Sequence, residues 1–274
     1  MNKAFVDTTI LTDILLKPSE KGKIAKNALK TFKESLLPVY AIKEFKAGPL
    51  YNFTWMYGKL AVTGSFTNSL EALHRMSMSL RRYTTSTAIE ALKEAAALTL
   101  TGKVTNQSLV DKYGAKASPD STLCDIFKLS IKTAIYKSWK RRRSVTTETI
   151  QPLSCYKETD PIEKNGIIEL PSMKCKPEKE CCLGTELRSK TQDLKKLVKT
   201  IKGLPSKREN DKRHKILHEI SRKPNQAVSE DYCRGLGDAY FALFCPDDAV
   251  ILSTNIKDHK PLAESLGKEA AEPK

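Results

Sequence analysis

The chain has no run approaching the roughly 18 apolar residues of a membrane span, so no membrane partner is expected. No phosphate-cradling Gly-Lys loop, no G-x-G-x-x-G turn and no G-x-S-x-G elbow is found, which argues against an ATPase, a dinucleotide enzyme and an α/β-hydrolase. No internal repeat occurs either. The first residues lack a basic region followed by a long apolar core, so no secretory signal is expected. Seven cysteines in 274 residues are too few, and odd in number, for a disulfide scaffold. Reduced thiols and a cytoplasmic setting are expected. Acid is scarce as well: 32 Asp and Glu face 47 Lys and Arg, a formal net charge of +15.

That excess favours a polyanionic partner such as nucleic acid. It is unevenly placed. Between Arg188 and Lys223 thirteen Lys and Arg face four Asp and Glu. Two helices are expected over residues 185–222, with Leu187, Leu194, Leu197, Val198 and Ile201 as the inner face, and Ser206 and Glu209 as a capping box for the second helix. Lys195, Lys196, Lys199, Lys207, Arg208, Lys212 and Arg213 are the candidate nucleic-acid contacts there. A second cluster, Arg141, Arg142 and Arg143, ends the helix expected over 121–143. It reads equally as a phosphate-contacting patch or as cations at a helix C-terminus, where the macrodipole favours them.

The most informative stretch runs from Gly237 to Leu262. A short apolar helical run, Ala239 to Phe244, is followed by a turn at Pro246, Asp247 and Asp248. Then comes the unbroken apolar run Ala249 to Leu252. A strand without polar alternation is expected to be buried on both faces, as in a parallel α/β sheet. Ser253, Thr254, Asn255 and Asp258 follow it, at the end where such sheets bind ligands. The N-terminus repeats the pattern: Ala4, Phe5 and Val6 lead into Asp7, Thr8 and Thr9. If the two strands are neighbours, carboxylates from opposite ends of the chain meet at one edge. Clustered carboxylates repel one another, and a hard divalent cation relieves that.

FVDTTILTD, the helix containing AIKEF, GDAYFAL and VILSTNIKDHKPL together resemble the PIN-domain nucleases of the VapC type. The matched segments, roughly 1–50 and 228–268, are about a third of the chain. The resemblance implies a parallel α/β sheet sandwiched by helices, Mg²⁺ or Mn²⁺ at clustered acids, and cleavage of RNA. It places Asp7, Glu44 and Asp238 as the first three acids, with Asp258 or Asn255 at the fourth position. Thr8, Ser253, Thr254 and Asn255 would orient ligands or a phosphate oxygen. Spacing alone makes Glu44 a solvent-facing helix acid; the resemblance makes it catalytic. Asn255 stands where many members carry an acid, and His259 follows Asp258 where an aromatic residue is common.

On this reading residues 1–50 and 226–274 form the nuclease core, and 51–225 form a mainly helical, basic insertion. The resemblance also raises a toxin, stress or defence role, a protein regulator and self-association. Residues 19–37 read as one helix through Ile24, Ala28, Phe32 and Leu36, ended by Pro38, which opens the helix Val39 to Lys46. Tyr51, Phe53, Trp55 and Tyr57 alternate as in a strand, though a helical segment fits too. They read as core or subunit contact more readily than as a base-stacking stripe. A helical region is expected from Thr67 to Leu100. Residues 148–184 are punctuated by Pro and Gly and read as irregular. Cys155, Cys175, Cys181 and Cys182 lie there, and with His214 and His218 a zinc site is conceivable, though the spacings are not the usual paired ones. The contrasting reading is a nucleic-acid-binding scaffold with a degenerate nuclease core. RNA is favoured over DNA, which remains open, by resemblance alone.

Overall fold

The computed structural model describes residues 2–17, 20–77, 89, 92–93, 119–151, 153, 156–171, 182–205, 208–222 and 230–274. Strand β1 (Lys3–Val6) leads into α1 (Thr8–Leu16) and α2 (Glu20–Lys30), then β2 (Glu34–Pro38) and α3 (Val39–Phe45). A wide π turn around Pro49, whose missing N–H cannot continue an α-helical ladder, joins α3 to α4 (Tyr51–Thr63). After α5 (Phe66–Ser77) come α6 (Pro119–Arg141), β3 (Glu148–Ile150) and the hairpin β4 (Ile162–Lys164) and β5 (Ile167–Glu169). The C-terminal part holds α7 (Cys182–Ser189), α8 (Thr191–Lys202), α9 (Arg208–Arg222), α10 (Glu230–Leu236) and α11 (Asp238–Phe244). It closes with β6 (Ala249–Leu252), α12 (Ile256–Ser265) and β7 (Glu269–Ala271). Among the described residues no helix is long and apolar enough to cross a membrane.

Five strands form one parallel sheet in the order β3-β2-β1-β6-β7, flanked by helices. From β1 the chain steps outward to β2 and β3 on one side, and later to β6 and β7 on the other. The strand order therefore reverses between β1 and β6, which makes the crevice beyond their carboxyl ends the natural ligand position. Val6 pairs with Leu252 at that end, and Ala4, Phe5 and Val6 are buried on both faces, as are all four residues of β6.

The sequence expectation for 19–37 is corrected by the sheet. The helix ends at Lys30, and Glu34–Pro38 pairs with β1 as a strand. The four-residue spacing ran through a turn, and within the helix only part of that stripe faces inward. Ala25, Ala28 and Leu29 face inward, whereas Ile24 is 42% exposed. Ser35 to Pro38 is a short run buried on both faces, which periodicity alone does not distinguish from helix.

A second correction concerns the origin of the sheet, which the terminal segments do not form alone. Edge strand β3 comes from the middle of the chain and pairs Leu36 with Glu148 and Pro38 with Ile150. Residues 51–63 are helical, and their aromatics are partly core: Phe53 and Tyr57 are buried, while Tyr51 is exposed. Phe53, Met56, Leu60, Ile131, Ile135 and Trp139 belong to the same apolar cluster as Phe5, Leu37, Phe241 and Ile251. Residues 119–141, 182–189, 191–202 and 208–222 are helical, in line with the helices expected over 121–143 and 185–222. Of the expected helix over 67–100, the part after Ser77 lies outside the described residues except for 89 and 92–93.

Candidate functional site

Asp7 ends β1 and caps α1. Its Oδ1 accepts from Thr8 N at 2.6 Å, and its Oδ2 accepts from Thr9 N at 3.3 Å, Thr9 Oγ1 at 2.6 Å and Ser253 Oγ at 2.7 Å. An aspartate suits that place because α1 opens with N–H groups that have no partner within the helix. Asp7 N donates to Leu252 O, which fixes the carboxyl end of β1 against that of β6. Ser253 is fully buried and also accepts from Asn255 N at 2.9 Å, while Thr254 is exposed and its N–H meets Thr9 Oγ1.

Glu44 arrives on α3. Thr8 Oγ1 donates to Glu44 Oε2 at 2.7 Å, so Thr8 joins Asp7 and Glu44 by its N–H and its hydroxyl. Asp238 is the first residue of α11. His259, on α12, is 1% exposed, and its Nε2 stands 3.4 Å from Asp7 Oδ2 and 3.3 Å from Asp238 Oδ1. Among the described residues neither nitrogen of the His259 ring makes a hydrogen bond of good geometry. Asp238 Oδ2 takes a hydrogen-bonded ion pair from Arg213 Nη2 at 2.7 Å. Three acids distant in sequence thus converge at the crevice where the strand order reverses. Asp258 lies in the first turn of α12, and Asn255 Nδ2 donates to its Oδ2 at 2.9 Å.

The electrostatics follow from this crowding. Burial pushes the Asp7 carboxyl up, but His259, Thr9 and Ser253 more than offset it, so it lies below the ordinary carboxylate range. Burial pushes Glu44 up to about 8; the Thr8 hydroxyl works against that, and the charges of Asp7 and Asp238 add to it. Burial also raises Asp238, with His259 and Arg213 pulling it back. Burial lowers the His259 imidazole, yet Asp7 above all, then Asp238 and Glu44, leave it above its ordinary value.

Hard carboxylate oxygens in this number match the chemistry of Mg²⁺ or Mn²⁺. Burial accounts for most of the rise at Glu44, and only the smaller part that comes from the charges of Asp7 and Asp238 is of the kind a cation relieves. Among the described residues, however, no group of three or more His, Cys, Asp or Glu side chains is arranged so that it could hold a metal ion. The carboxylates are turned to Arg213, His259 and the hydroxyls instead. The donor types, carboxylate oxygens, are those a divalent cation takes, while as arranged here their charge is balanced by Arg213 and His259.

The other expected residues separate into groups. Lys195, Lys196, Lys199 and Lys212 are exposed on α8 and α9, and Lys202 and Lys215 join them. Lys207 lies outside the described residues, and of Arg208 only the backbone is described. Arg213 does not share the exposed face; its side chain is 13% exposed at the acids. Arg141 is exposed, but Arg142 and Arg143 both ion-pair with Glu158, and Arg142 stacks on Trp139 at 3.8 Å. His214 and His218 stack on each other at 6.0 Å, whereas Cys155, Cys175 and Cys181 lie outside the described residues.

Two participants escaped the sequence reading. His259 stood out only as a departure from a motif, although its place one turn after Asn255 aims it at the acids. Thr9 was visible only as part of the TT pair after Asp7. Compared with family models, curated proteins and solved structures, the chain has no match.

Proposed function

We propose that the chain is a divalent-metal-dependent phosphodiesterase that cuts nucleic acid within the strand, with RNA as the favoured substrate. The observation that carries this is the meeting of Asp7, Glu44 and Asp238, from three separate elements, at the switch point of a parallel sheet. Asp7 and Asp238 would hold Mg²⁺ or Mn²⁺, with Glu44 beside them and Asp258 or Asn255 assisting through water. A cation held there would make a water easier to ionise at neutral pH and would stabilise charge on the phosphate. Thr8 fixes the Glu44 carboxyl, while Ser253 and Thr9 fix Asp7. The exposed lysines of α8 and α9 supply the electrostatic surface for a phosphate backbone. The choice of RNA, and of a toxin, stress or defence setting, rests on the resemblance to PIN-domain nucleases.

A second reading is favoured by one observation. Arg213 is a basic side chain set directly on an acid of the site, as expected of a nucleic-acid-binding scaffold with an inactive core. The deciding experiment is cleavage of mixed single-stranded RNA and DNA with Mn²⁺ or Mg²⁺, with and without EDTA. Asn is the substitution of choice because it preserves the size of the side chain and an acceptor oxygen for the α1 cap. Metal-dependent cleavage lost in Asp7→Asn and Asp238→Asn supports the enzyme. Salt-sensitive binding without cleavage in all three chains supports the scaffold.

A further inference from the structure

The position of Arg213 carries a consequence that the nuclease reading alone does not contain. Arg213 belongs to α9, whose neighbouring residues Lys212 and Lys215 face solvent, yet its guanidinium is turned inward onto Asp238. Two glycines line that approach. A Cβ at Gly235 would stand 2.0 Å from Ile216 Cδ1, and one at Gly237 would stand 3.4 Å from Arg213 Nη2. Ile216 and Arg213 lie three residues apart on α9 and share a face, so α9 is seated on the segment that delivers Asp238. A guanidinium matches phosphate as well as carboxylate, by the same forked donors.

Resting on the metal-dependent reading above, we propose that Arg213 is shared between Asp238 and the substrate. In the free chain its charge takes the place of the cation at Asp238. A phosphate of a nucleic acid lying along α8 and α9 competes for the guanidinium and frees Asp238 for the divalent ion. Nucleic acid and metal then bind with positive coupling, each favouring the other. The exposed lysines gather the backbone, and Arg213 reports its arrival to the acids. The group is a positioning residue for the metal and a phosphate contact for the substrate.

The test has two readouts, neither of them turnover. The first is Mn²⁺ binding by the full chain, followed by the electron paramagnetic resonance of free Mn²⁺. Arg213→Gln is expected to bind Mn²⁺ roughly tenfold more tightly than the unmodified chain, a change in the range that partners of metal ligands exert. Lys212→Gln, which removes the same charge from the same helix without touching the acids, is expected to leave the affinity unchanged. Arg213→Met keeps more of the apolar volume and serves if the glutamine variant does not fold. The second readout is binding of a single-stranded RNA oligonucleotide in EDTA, where no metal-dependent cleavage occurs. Asp238→Asn releases Arg213 and is expected to tighten RNA binding, and that gain is expected to vanish in the Asp238→Asn, Arg213→Gln double variant.

Equal or weaker Mn²⁺ binding by both Arg213 variants, with Asp238→Asn abolishing it, would overturn the sharing while leaving the metal site standing. So would an RNA-binding gain from Asp238→Asn that persists without Arg213. Absence of Mn²⁺ binding in the unmodified and Arg213 chains alike would overturn the metal reading and the sharing together.

Discussion

Glu44 shows how far a residue's role depends on what folding brings beside it. On its helix it is an ordinary acid; in the fold it lies beside Asp7 and Asp238, and its carboxyl is pushed up to about 8, by burial first. Because that value lies above the unfolded one of 4.5, the folded chain holds the proton more tightly than the unfolded chain does. The associated stability is fully present below the unfolded value and is lost as pH rises towards about 8. Without divalent cation, the melting temperature is expected to fall across that interval, and Glu44→Gln to flatten the fall. His259 is raised too, so part of the decline survives the substitution. An identical pH profile for both chains would show that Glu44 is not protonated in the fold. At this scale Asp7 and Asp238 were legible because each sits beside a recognisable apolar run. Glu44 came from resemblance, since nothing in its helical spacing distinguishes it. Arg213 was legible as a charge and not as a contact, because a single basic side chain turning inward leaves no periodic trace.

The elements around the site owe their placing to small residues and turns that carry no apolar signal. Gly237 adopts φ 46° and ψ −129°, a conformation open to glycine, immediately before α11 opens at Asp238. Gly237→Ala is expected to cost about 1–3 kcal/mol in backbone strain. The added Cβ would stand 3.4 Å from Arg213 Nη2, an ordinary contact with the end of a flexible side chain, so the melting temperature should fall while Mn²⁺ affinity stays unchanged. Loss of stability with unchanged Mn²⁺ affinity would separate the glycine's backbone role from the placing of Arg213. The same scale explains which elements the sequence disclosed. β1, β6 and α6 have long or clean apolar patterns and were read correctly. β2 was absorbed into a helix because its apolar residues continued a false stripe. The hairpin β4–β5 turns at Asn165 and Gly166, with φ 52° and 72°, the Asn-Gly pair favoured in two-residue hairpins. That signal was present within a segment read as irregular. Lys46 is set into the same segment, donating to Thr159 and Pro171 carbonyls at 3.0 and 2.5 Å, a contact between distant residues that no local pattern announces.

At the scale of the molecule, the middle of the chain is structurally joined to the terminal segments that carry the acids. It contributes the edge strand β3, the hydrogen bond from Tyr240 OH to Gln151 Oε1, and the bond from Gln151 Nε2 to Phe244 O. It also carries α9, from which Arg213 reaches Asp238. Phe53, Met56, Leu60, Ile131, Ile135 and Trp139 cover apolar surface that the terminal segments would otherwise expose. Burial of one side chain of this size contributes about 1.5–3 kcal/mol. Uncovering the surfaces they occupy is therefore comparable to the whole net stability of an ordinary domain, about 5–15 kcal/mol. A chain joining residues 1–50 directly to 226–274 is accordingly expected not to fold, although it retains every acid of the site. Circular dichroism, thermal melting and amide dispersion by NMR would check this. A cooperative melt with dispersed amide signals would establish the terminal segments as an autonomous unit and the middle as a true insertion. A non-cooperative, collapsed chain would mean that the acids depend on the middle segment for their geometry, so that loss of cleavage on its removal carries no information about substrate recognition. Point substitutions of Lys195, Lys199 and Lys212, which are exposed, answer that question instead. Each is expected to weaken nucleic-acid binding and reduce its salt dependence by about one phosphate contact, with the melting temperature unchanged.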